Sequence, residues 1–237
     1  MKSRMIVFAS LVGIALASPA FADGNKNKGF TVTPFTFVGS ATDCAPSPAG
    51  SNIVTSAWLT GLGLPDDGSS NTTPTNLDPH NGLLLSKNGL TTDCSAAGAT
   101  ITKVKGITLT ELGFDIRNGT HCGAGAPRFN VQASDGFHFL GGCSNGTPSP
   151  APQDPLRWKR IRIDPTNPAQ AFPPIAAGAT IQSISILFDE GTDTVVVPPG
   201  SNGLADIDNI DINGVLVGSG PSNNGNEEGG KSHGEGD

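Results

Sequence analysis

The chain has 237 residues, 36% of them apolar, with 32 glycines and 19 prolines. That is enough apolar material for one large all-β domain or two small ones, and too much for disorder throughout. A net charge of −7 excludes a partner held through nucleic-acid phosphates.

The first 22 residues read as an export signal. Lys2 and Arg4 precede an apolar run at residues 5–17, and Ala20-Phe21-Ala22 is a small-x-small cleavage site. The run is too short to span a bilayer, and no later segment has the length. The expectation is a secreted, extracellular or periplasmic protein starting at Asp23. Losing the signal leaves 12 basic residues against 21 acidic ones, a net charge of −9. Residues 163–230 contain no Lys or Arg at all. Such a one-sign region either solvates a face or collects a cation.

After a polar lead-in at 23–29, strand-like alternation runs over 30–38. A Pro/Ser loop at 43–52 follows, then a strand at 53–60 and a long polar loop at 61–81. Further strands are expected at 82–86, 99–105, 107–117, 128–133 and 137–140. A loop at 144–155 precedes strands at 156–163, 179–188, 194–197 and 204–217. Residues 218–237 form a Gly-rich acidic tail that cannot order itself by burial. No window has helical periodicity. Short β-branched segments punctuated by Gly and Pro predict an all-β fold, one antiparallel β-sandwich of jelly-roll type over 30–217.

The phase of the alternation slips by one residue in four segments. Apolar positions run 107, 109, then 112, 114, 116; and 179, 181, then 184, 186, 188. Leu156 and Trp158 give way to Ile161 and Ile163, and Ala205 and Ile207 to Ile210 and Ile212. A one-residue slip turns every later side chain to the other face, so a bulge or a sheet-switching bend must absorb it. Asn213-Gly214, between two apolar triplets, is a hairpin signal.

Cys44, Cys94, Cys122 and Cys143 all lie in the exported part and read as two disulfides. Cys122 and Cys143 end neighbouring strands, which favours Cys44–Cys94 with Cys122–Cys143. Loop closure assigns about 4 and 3 kcal/mol respectively. A metal site is the rival reading, but the spacings match no Cys/His pattern.

The acidic set Asp189, Glu190, Asp193, Asp206 and Asp208 is the candidate cation site, with structural calcium as the expected cofactor. The competing readings are alternating carboxylates facing water and a catalytic pair. The segment DIDNIDING fails as an EF-hand loop, because its fifth position is Ile210.

Residues 203–214 (GLADIDNIDING) resemble the closing strand of galactose-binding-like jelly rolls, carbohydrate-binding modules among them. That resemblance implies a sandwich in which Asp208 lies beside a structural calcium. FDIR at 114–117 and CGAGAPRFNV at 122–131 run on to Cys143; GLLLSKNG at 82–89 and AFPP at 171–174 complete the pattern. Together they resemble a group of uncharacterised exported bacterial proteins, a resemblance that covers most of 30–217 and implies no activity.

Sugar-binding modules stack rings on exposed aromatics. With no tyrosine in the chain, the candidates are Trp58 and Trp158, against a core role for each. Trp158 lies in the basic run RWKRIR at 157–162, which either meets an anionic glycan or balances the acidic region. Arg128 is expected to pair with Asp115. No G-x-S-x-G or H-E-x-x-H motif occurs. His80, His121 and His138 are not singled out by their surroundings. The chain is therefore expected to be a non-catalytic module binding glycan or another cell-surface component. The alternatives are a structural matrix protein and a secreted hydrolase.

Overall fold

The computed structural model describes residues 29–64, 80–193 and 203–218. The export signal, most of the long polar loop, the expected strand at 194–197 and the tail beyond 218 lie outside the described residues.

In chain order the strands are β1 (Val32–Val38), β2 (Val54–Thr60), β3 (Asn81–Lys87), β4 (Ser95–Ile101) and β5 (Leu112–Arg117). Next come β6 (Arg128–Ala133), β7 (Gly136–Gly141), β8 (Thr147–Pro150), β9 (Trp158–Ile163) and β10 (Ala171–Phe172). The set closes with β11 (Ile181–Phe188), β12 (Leu204–Ile212) and β13 (Val215–Val217). They make two antiparallel sheets, β1-β4-β11-β6-β7-β10 and β2-β3-β12-β5-β9-β8, with β13 hydrogen-bonded to β12. The sheets face each other as a sandwich, and Phe114 of the second meets Phe129 of the first at 5.8 Å. Ile184, Ile186, Val131, Leu85, Ile161 and Ile207 fill the space between them. The edges are blunted: Pro34 lies in β1, Pro148 and Pro150 in β8, and Pro173 follows β10.

The phase slips are resolved in three ways. β11 and β12 carry register shifts, between Ile181 and Ser183 and between Asp208 and Asp211. In β12 the extra residue is Asn209, whose φ of 45° is the left-handed conformation that Asn tolerates. The third slip needs no bulge, because β5 starts at Leu112, beyond it. Ile107 and Leu109 reach the core from a loop, which shortens the expected 107–117 strand. Asn213 holds that loop: its Oδ1 accepts N–H bonds from Thr110 and Glu111. The fourth slip leaves Trp158 on the opposite face from Ile161 and Ile163, in a separate cluster with Leu64 and Ala151.

The β12–β13 turn is the expected Asn213-Gly214 hairpin, with φ of 55° and 82° at its centre. Both disulfides form as expected. Cys44–Cys94 ties the loop after β1 to the start of β4, and Cys122–Cys143 ties the segments flanking β6 and β7. Among the described residues no helix is long and apolar enough to cross a membrane.

Candidate functional site

The first sheet turns one face to the core and the other outward. Directly paired residues share a face, so the register identifies the outward set. Phe35 pairs with Gly98, Leu187 with Gly98 and with Arg128, Asn130 with Phe139, and Phe139 with Phe172. Five of the chain's 11 phenylalanines therefore lie on one surface: Phe35 and Phe37 on β1, Phe137 and Phe139 on β7, and Phe172 on β10. Four are widely open to solvent, at 48% for Phe37, 46% for Phe137, 41% for Phe139 and 44% for Phe172. Phe35 lies flat over Gly98, where a Cβ would come within 2.5 Å of its ring. Phe137 and Phe139 meet edge to face at 5.0 Å.

Between the two aromatic groups the outward positions carry hydroxyls and amides, Thr100 on β4, Ser183 and Ser185 on β11, Asn130 and Gln132 on β6, together with Ala96 and Gly98 on β4, Leu187 on β11 and Arg128 on β6. Arg128 is the one Lys, Arg, Asp or Glu in the six strands of this sheet. Its guanidinium grips Asp189 through two bonds, Nη1 to Oδ1 at 2.6 Å and Nη2 to Oδ2 at 2.7 Å. The same group stands 5.3 Å from the Phe139 ring centroid, with Nη1 also donating to the Gly125 carbonyl. The face is thus aromatic at both sides, polar in the middle, and locally neutral.

The five carboxylates of the expected calcium site do not converge. Among the described residues no three His, Cys, Asp or Glu side chains make a metal-binding group. Asp189 is held by Arg128, Glu190 by His121, and Asp193 by the backbone N–H and hydroxyl of Thr91. Those Thr91 bonds hold the Asp193 carboxyl below the usual range. The cation at this end of the sandwich is the chain's own. Lys87, fully buried, donates from Nζ to the carbonyls of Thr91, Asp93 and Asp189, with Asp93 Oδ1 at 3.2 Å.

Asp206 and Asp208 lie elsewhere, on the outer face of the second sheet. Asp206 has Arg117 at 3.6 Å, while Asp208 accepts from the N–H groups of Leu64 and Asn209. Asp206 is 2% exposed, and its Oδ1 has no hydrogen-bond partner among the described residues. Burial pushes its pKa up to about 7, against the opposing pull of Arg117.

Arg128 pairs with Asp189 rather than with Asp115. β9 runs beside β5, so Asp115 faces Arg160, which donates to both of its oxygens at 2.9 and 3.1 Å. Arg162 reaches Asp211 at 3.0 Å. The basic run at 157–162 thus meets the acidic strands of its own sheet.

The two tryptophans differ in burial, Trp58 being half-buried and Trp158 buried. Trp158 is 4% exposed. Trp58 packs against the core and donates its indole N–H to the Val32 carbonyl at 3.0 Å. His121 and His138 are buried: His121 is bonded through Nε2 to Glu190, His138 to Asp135 and the Pro173 carbonyl. The sequence does not single out these phenylalanines, because alternation in a strand marks two faces without saying which is covered. No family model, no curated protein and no solved structure matches the chain.

Proposed function

We propose that the chain is an exported, non-catalytic β-sandwich module that binds a neutral glycan on the outer face of its first sheet. The observation that carries this reading is the pair of phenylalanine groups framing a floor that holds the hydroxyls and amides of Thr100, Ser183, Ser185, Asn130 and Gln132 around Leu187. A sugar ring has an apolar C–H face and a rim of hydroxyls. Phenylalanine rings bury the first, and Asn, Gln, Ser and Thr exchange hydrogen bonds with the second. An anionic ligand would find no uncommitted cation in the sheet, since Arg128 is neutralised by Asp189. Exposed aromatics clustered on one face of a monomer mark an interaction site rather than ordinary surface. The signal-like N-terminus and two disulfides support an extracellular or periplasmic setting.

A glycan array probed with the exported chain tests the reading. Phe139→Ala should weaken binding by about 2 kcal/mol with thermal melting unchanged, the behaviour of an exposed aromatic anchor. Absence of binding to every neutral glycan sinks the proposal. A concentration-dependent dimer dissolved by Phe139→Ser, with no sugar bound, would instead support a self-associating matrix protein.

A further inference from the structure

The two aromatic groups are far apart, and their separation constrains the ligand. Resting on the glycan reading above, we infer that the face takes an extended internal stretch of a linear, neutral polysaccharide lying across the strands, not a single sugar or a chain end. Phe35 and Phe37 belong to β1; Phe137, Phe139 and Phe172 belong to β7 and β10. β4, β11 and β6 intervene. Four strand steps separate β1 from β7, a span of about 19 Å, the length of about four hexose rings in an extended chain.

One sugar ring reaches one aromatic group only. A chain crossing the strands reaches both. From Phe139 it passes Asn130, Ser185 and Thr100, one cross-strand row that meets β1 at Thr33, and it crosses obliquely to reach Phe35, two residues further along that strand. That row offers a hydrogen-bonding side chain at each strand step of about 4.8 Å. β1 and β10 are the two edges of the sheet, so the path runs off the face at both ends. Among the described residues no strand stands beyond either edge to stop a polymer from continuing. A site for a chain end or a monosaccharide needs a wall or pocket that closes around the terminus. Once one aromatic group is engaged, the second binds the same molecule at high effective concentration, so affinity rises steeply when the ligand becomes long enough.

The test is calorimetric titration of the exported chain with cello-, xylo-, manno- and malto-oligosaccharides of two to six units. In the series that binds, affinity should rise at least about tenfold between two and five units. Phe37→Ala and Phe139→Ala, which truncate opposite sides of the face, should each lower six-unit affinity about tenfold or more. Each should change two-unit affinity by only about twofold, since a short ligand retains the other aromatic group. Melting curves check that both variants stay folded. Equal affinity at all lengths, or insensitivity to Phe37→Ala, overturns the extended-chain inference and leaves the glycan reading standing. Failure of every six-unit oligosaccharide overturns the inference; failure on the glycan array as well overturns both.

Discussion

Asp206 shows how burial sets the behaviour of a single residue. Its folded pKa of about 7 lies above the ordinary 3.8, so the folded chain binds this proton more tightly than the unfolded chain. The associated stability is fully present below about pH 4 and is lost as pH rises through about 7. Asp211 shifts in the same direction through burial, offset by Arg162. Asp206→Asn cannot ionise, so it should raise Tm relative to wild type by several degrees at pH 8, roughly 2–4 kcal/mol, and by much less at pH 4. Melting at the two pH values decides; an equal shift at both would assign the effect to packing. The sequence marked Asp206 as chemically interesting through its place beside a phase slip. It could not say that Arg117 would stand beside it, because partners arrive from strands nearly a hundred residues away.

Among the elements, the turn after β11 is the one most altered by its tertiary surroundings. Its run FDEGTD looks like cation-binding chemistry, and a cation is there: the Lys87 ammonium in a cage of three carbonyl oxygens. Around it Gly191 donates to Thr91 Oγ1 and Thr192 donates to the Gly89 carbonyl, clamping the turn to the loop after β3. Lys87→Met removes the donor that the Thr91, Asp93 and Asp189 carbonyls share and the cation beside the Asp93 carboxylate in a buried site, so it should cost about 3–5 kcal/mol. Chemical denaturation measures this directly. Because Asp189, Glu190 and Asp193 are already engaged, exhaustive chelation should leave Tm of the wild-type chain unchanged. A fall of several degrees would return a divalent ion to the protein. The bulges of β11 and β12 were legible beforehand, since a slip of phase within a strand has few physical remedies. The slip before β5 was legible as a break but not as a loop, because a loop residue such as Leu109 reaches the core as readily as a strand residue does.

For the whole molecule, two sheets and two disulfides act together. Cys44–Cys94 closes a loop with a sequence separation of 50, and Cys122–Cys143 one of 21. Chain entropy therefore assigns about 4 kcal/mol to the first and about 3 kcal/mol to the second. Cys44→Ser with Cys94→Ser should accordingly lower Tm more than Cys122→Ser with Cys143→Ser. The reverse order in paired melting curves would place local packing above loop length.

Sequence alone determined the fold class, the bulged strands and the Asn213-Gly214 hairpin, and it favoured the sulfur pairing that forms. These follow from interactions close along the chain: a period of two, a slipped phase, a turn dipeptide, cysteines ending adjacent strands. Tertiary structure alone decided which faces are covered. Trp58 and Trp158 were the obvious aromatic candidates, yet the first lies half-buried against the core and Leu64 with Ala151 cover the second. Phe37, Phe137, Phe139 and Phe172 stay exposed because none of the described residues covers the outer side of the first sheet at those positions. Alternation encodes two faces with equal clarity; only the arrival of distant strands, loops and ion-pair partners chooses which one meets water.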